Sequence, residues 1–194
     1  MKKIAGCMIM ISMIMVWNGC GNGKDSAGST PADEASRYET SLSLLEAVVG
    51  AYEEEELFAM YGGDTEHAVM DAPGQFDLSK TEEMDQSLGL PESQSGAIDD
   101  AASMVHLMNG NTFTGAAWHV KQETDIEAFT DAVQSNILEK QWLCGQPETL
   151  LIVQADAEYI ITAYGAADIV EVFKQNVLSV ADGAKVLTET PIVQ

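Results

Sequence analysis

The chain has 194 residues, enough for one ordinary domain with a true core, and its 46% apolar content belongs to a globular protein rather than a disordered one. Nine Lys+Arg against 31 Asp+Glu give a formal net charge of -22. A phosphate backbone is repelled by such a surface and no basic stripe offsets the repulsion, which excludes nucleic acid as a partner. Anionic headgroups are repelled in the same way, so attachment to a membrane requires a lipid rather than a polybasic patch.

Residues 1–19 open with Lys2 and Lys3 and continue as an apolar run over 4–17, interrupted only by Gly6 and Ser12. That run is too short for a hydrocarbon core of ~30 Å, which needs about 20 residues, and it fits the hydrophobic segment of a secretory signal peptide. Asn18-Gly19-Cys20 places a small residue directly before a cysteine and resembles the lipobox of bacterial lipoproteins. Trp17 stands where an aliphatic residue is usual there, and Asn18 where a small one is usual. The expectation is a signal peptide over 1–19, lipidation of Cys20 with palmitate as the label, and a place on the extracytoplasmic face of the cell membrane. Loss of Lys2 and Lys3 with the leader makes the mature chain two charges more negative.

Residues 20–37 contain no large apolar side chain, and their Gly, Ser, Asn and Pro content predicts a flexible, solvated tether behind the lipid. Cys7 falls in the leader and Cys20 takes the lipid, so Cys144 has no partner and no intramolecular disulfide is expected. Glu139, Lys140 and Glu148 give Cys144 no net cationic surrounding, which reads as a small buried apolar residue rather than a nucleophile.

The folded domain is expected over 38–194, with its core over 98–190. Leu42, Leu45, Val48, Val49 and Tyr52 recur at helical spacing, and Leu57-Phe58-Ala59-Met60-Tyr61 precedes Gly62-Gly63. This predicts an N-terminal helical segment of one or two short helices, with Glu53, Glu54, Glu55 and Glu56 as a solvated helix face or as the acidic first turn of a second helix. Breakers at Pro73, Gly74, Gly89, Pro91 and Gly96 predict loop over 64–97, with one helical turn around 82–88.

Residues 102–108 and 113–120 flank Asn109-Gly110, a strong hairpin signal. Thr124 and Glu127 are spaced as a capping box for a helix with Ile126, Phe129, Val133 and Ile137 on one face. Strands follow over 149–154 and 158–164. A helix capped by Asp168 comes next, bearing Ile169, Val170, Phe173 and Val177, and then a last strand over 185–192 with Pro191 marking an edge. Two successive strand-strand-helix units predict an α+β fold: one antiparallel sheet with both helices on one face.

No G-x-S-x-G, S-x-x-K, H-E-x-x-H, C-x-x-C or phosphate-cradling glycine loop is present. Pairing His106 with Phe113 sets His119 opposite Asp100, six residues along the strand from His106. At ~3.3 Å per residue the two histidines are roughly 20 Å apart, too far for one metal ion. His67, beside Asp64 and Glu66, lies in irregular sequence. Asp99-Asp100 and Glu82-Glu83 with Asp85 lack the spacing of a calcium loop and read as solvated acidic surface. Trp118, Trp142, Tyr159 and Tyr164 fall on strands or helix ends; Trp142 closes the inward face of the helix over 126–142 and reads as core, while a carbohydrate platform requires exposed, coplanar aromatics. No catalytic, cofactor-binding or metal residue is assigned, and no cofactor is expected.

Over about 41–180 the chain resembles a family of uncharacterised lipoproteins of Gram-positive bacteria, known only as a domain of unknown function. The likeness is carried by Leu44-Leu45, the stretch from Leu57 to Tyr61-Gly62, residues 95–105, the helix from Ile126 to Trp142, and Glu158-Tyr159-Ile160-Ile161. An insert around 64–80 sets this chain apart. The resemblance implies a lipid-anchored α+β domain and brings no catalytic residue with it. The leading functional expectation is a membrane-anchored binding or interaction module for a protein or envelope partner, pointing away from an enzyme. The alternatives are a carboxylate-dependent hydrolase of envelope material and a weak divalent-cation binder. Buried carboxylates distinguish the first alternative, a carboxylate cage the second, and an exposed apolar patch the binding module.

Overall fold

The runs 150–153 and 159–164 are apolar without alternation because the sheet they enter is covered on both faces. The computed structural model describes residues 37–143 and 145–193. The leader, Cys20, nearly all of the tether and Cys144 lie outside the described residues.

A short helix, α1 (Ser41–Val49), comes first, its Thr40 cap exchanging hydrogen bonds with Ser43. Three brief strands follow: β1 (Met60–Gly62), β2 (Val69–Met70) and β3 (Gly74–Gln75). One helical turn, α2 (Thr81–Glu83), runs into a π-helical turn over Met84–Leu88 that Gly89 ends in the left-handed conformation. Then come β4 (Ile98–His106), β5 (Phe113–Val120), α3 (Ile126–Glu139), β6 (Thr149–Gln154), β7 (Tyr159–Gly165), α4 (Ala167–Val180) and β8 (Lys185–Pro191). All strand pairs are antiparallel in one eight-stranded sheet of order β2-β1-β4-β5-β7-β6-β8, with β3 also paired to β4.

The two longer helices lie on opposite faces, which corrects the expectation that both cover one. On one face Leu44, Leu45 and Val48 of α1 join Phe173 and Val177 of α4 over Met104, Ala117, Val153 and Ile161. On the other, Phe129, Val133 and Ile137 of α3, with Leu88 and Leu90, pack on Ala116, Trp118, Ile152 and Ile160. The topology accounts for this. β5 reaches β6 by passing over β7, and β7 reaches β8 by passing over β6, so both crossovers travel the same way across the sheet. β5 and β7 are antiparallel. Two crossovers of one hand that leave antiparallel strands in the same direction must pass over opposite faces.

Three local expectations are also corrected. Residues 57–61 form no second helix, because Met60 and Tyr61 pair with His106 and Val105 as sheet. Asp125, not Thr124, caps α3 by accepting from Ala128 N at 3.1 Å, while Thr124 Oγ1 donates to Ala97 O. α4 starts at Ala167, so Asp168 sits in its first turn rather than at its cap.

Candidate functional site

One gathering of titratable groups lies where β4, β5 and β7 meet. His119 is opposite Asp100 in the β4–β5 ladder, in the register set by the hairpin. An irregularity between Ile98 and Asp100 leaves Asp99 as an extra residue, and the bulge turns its carboxylate onto His119 Nδ1. Glu158 Oε2 lies 3.7 Å from His119 Nε2, and the Tyr159 ring meets the imidazole edge-on at 4.8 Å between centroids. Burial lowers the His119 pKa, but the bond from Asp99 and the charges of Asp99 and Glu158 outweigh it, and the net direction is upward. Asp100 faces elsewhere, accepting from Ser41 N at the start of α1 at 2.6 Å and from Gln75 Nε2. Tyr159 is buried, its hydroxyl donating to Tyr38 O at 3.2 Å, and burial foremost raises its pKa. Both ring nitrogens of His119 therefore already face carboxylates of this chain.

A second cluster ties together the 64–83 segment. Asp64 is only 2% exposed and accepts from Lys80 Nζ at 2.8 Å, from the backbone of Glu66 at 2.9 Å and of His67 at 3.2 Å, and from the His67 ring. Burial pushes its pKa up, but Lys80 and the donated hydrogen bonds hold it well below the ordinary carboxylate range. The histidine that neighbours two carboxylates in the sequence is thus a donor in an ion-pair network, its Nδ1 turned to Asp64.

The remaining candidate residues are dispersed. Glu83 accepts from Thr65 N at 2.8 Å, Glu82 from Gln86, and Asp85 from Asn136, so the acidic run 82–85 converges on no common point. Among the described residues no group of three or more His, Cys, Asp or Glu is arranged to hold a metal ion. His106 stacks on Phe58 at 5.4 Å between centroids. Trp118 is fully buried and donates to Thr162 Oγ1 at 3.0 Å. Trp142 lies 5.2 Å from the Tyr164 ring, with Lys140 Nζ over it at 4.9 Å. Burial pushes the Tyr164 hydroxyl up to about 12 and the Lys140 amine down. A cleft of about 380 Å³ separates α3 from β8, between Glu127, Thr130 and Asp131 on one side and Lys185, Leu187 and Thr188 on the other.

Exposed apolar side chains gather at one corner of the sheet, a feature that the sequence reading missed because it assigned 57–61 to a helix. Leu107 N donates to Ala59 O at 2.9 Å, Met60 pairs with His106, and Tyr61 pairs with Met70. These bonds bring Leu57, Val69, Met70, Leu107 and Met108 to the end of β4, all of them exposed, Met108 at 83%.

The chain matches no protein-family model, no curated protein and no solved structure. No helix among the described residues is long and apolar enough to cross a membrane.

Proposed function

We propose that the protein is an extracytoplasmic lipoprotein, cut before Cys20 and held to the cell membrane by lipid on that residue, whose folded domain binds a partner at the envelope. The observation that carries the binding reading is the exposed apolar corner of Leu57, Val69, Met70, Leu107 and Met108. Exposed apolar side chains brought to one end of a sheet mark an interaction surface more often than ones scattered singly.

The titratable groups support binding over hydrolysis. A general acid needs a carboxyl pushed up toward neutral pH. Among the described residues the carboxyls whose pKa moves clearly, Asp64, Asp77 and Glu171, all move down, held as anions by donors of this chain. Asp99, Asp100, Glu82, Glu83 and Asp85 are likewise engaged by groups of this chain rather than turned toward a shared cation.

The anchor rests on the sequence: the leader over 1–19, Gly19-Cys20, and the apolar-poor stretch that follows. Arg37 and Tyr38 bond to the end of α4, through Asp182 and the Val180 carbonyl. The same reading takes the domain as two strand-strand-helix units behind an N-terminal helical segment, and as a relative of the lipoprotein family that it resembles. Labelling of growing cells with radioactive palmitate tests the anchor. Label should enter the wild-type chain and be absent from Cys20→Ala, and labelling that persists in that variant rules the anchor out.

A further inference from the structure

The corner that carries the binding reading has a definite chemistry, and the inference drawn from it rests on that reading. Its backbone is fixed. Gly62 and Gly74 pack main chain to main chain, and Gly63 N donates to the buried Ser103 Oγ at 3.0 Å. Preorganisation of this kind lowers the ordering cost of association. Among the described residues no strand lies beside the outer edge of β2, and both its residues, Val69 and Met70, are exposed. The side chains on offer are Leu57, Leu107 and two methionines, the adaptable kind that recurs at binding surfaces.

The rim is acidic. Glu53, Glu54, Glu55 and Glu56 lead directly into Leu57 and all four are exposed, as is Asp71 directly after Met70. Anionic headgroups are repelled by such a rim. Two copies of a chain with a net charge of -22 repel each other as well. A surface of opposite charge is attracted, and rim charges act chiefly on encounter and choice of partner.

We propose that this corner docks a protein segment whose apolar side chains are flanked by Lys or Arg. The apolar residues cover Leu57, Met70, Leu107 and Met108, while the basic ones face the Glu53–Glu56 run.

The test uses the full-length chain in its own cells, with the photocrosslinker benzoylphenylalanine placed at position 108, at position 57, or at position 178 on α4 as a control. Crosslinked peptides are sequenced by mass spectrometry. The expected result is capture from 108 and 57, but not from 178, of a segment of another protein in which apolar residues adjoin Lys or Arg. Changing Glu53, Glu54, Glu55 and Glu56 together to Gln should lower that yield about tenfold at low salt, with the difference fading at about 0.5 M salt. These are exposed positions, and an unchanged melting temperature verifies that the variant folds. Capture of lipid, of a second copy of this chain or of a segment without Lys or Arg overturns the proposal, and so does a yield no higher than at 178. Palmitate labelling on the same cells separates the two claims. Absent capture with Cys20-dependent label intact removes the docking surface alone, whereas label that persists in Cys20→Ala removes the anchor alone.

Discussion

Gly62 and Gly74 lie so close that a Cβ on Gly74 would sit 2.5 Å from the Gly62 carbonyl carbon. The opposing atoms are backbone on both sides, held by pairing of β1 and β3 along the same edge of β4, and neither strand can withdraw without losing its ladder. Gly62→Ala should therefore destabilise the domain by about 3 kcal/mol, the upper range for overpacking. Urea unfolding followed by tryptophan fluorescence measures it. A loss below about 0.5 kcal/mol would mean that the two segments are not in contact in solution.

Trp118 Nε1 donates to Thr162 Oγ1 at 3.0 Å across the β5–β7 pair, deep in the α3 face. Thr162→Val keeps the shape and removes the acceptor, leaving a buried indole N–H unpaired. A cost of about 1–3 kcal/mol is expected, read as a lower unfolding midpoint in urea. A neutral outcome would show that the indole finds another acceptor.

Phe129 on α3 and Phe173 on α4 are both buried, on opposite faces of the same sheet. Each truncation to Ala should cost about 3–5 kcal/mol. The sheet lies between them and they share no partner, so the double variant should lose the sum to within about 0.5 kcal/mol. Coupling well beyond that, measured by a denaturation cycle, would place both helices on one face.

That arrangement was half legible in the sequence. The elements from 98 onward follow from periodicity, and the hairpin register correctly set His119 against Asp100. The non-alternating runs 150–153 and 159–164 already carried the sign of a sheet buried twice over, yet which face each helix takes depends on strand order, and strand order is a long-range property. The bulge that aims Asp99 at His119 has no local signature beyond two adjacent aspartates. The 57–80 region was least legible. Its strands are two or three residues long, too short for a period to register, and they exist because the far-off end of β4 supplies their ladder partners.

Asp64 ties part of the acid stability to one buried carboxylate. Its pKa lies below the ordinary value of 3.8, so the stabilisation is complete above that value and disappears as pH falls toward the depressed one. Asp64→Asn should be less stable than wild type at neutral pH and should lose less on acidification. Thermal melts between pH 7 and pH 2 check this, and parallel curves for the two proteins would contradict it.

His119 has the opposite sign. Its folded pKa is raised above 6.5, chiefly because Asp99 and Glu158 together outweigh the desolvation that pulls it down. A group raised on folding stabilises fully below its unfolded pKa, and that contribution is lost as pH rises through the folded one. The wild-type domain should accordingly lose stability as pH climbs from 6.5 through the raised value, while His119→Gln should not show that step. The imidazole proton resonance, followed by NMR, should titrate with a midpoint above 6.5 in the wild type. In Asp99→Asn it should move down, since the largest favourable partner is gone while the burial remains. A midpoint at or below 6.5 in the wild type would mean that the Asp99 bond opens in solution, and the β4 bulge would then have no role in holding the imidazole.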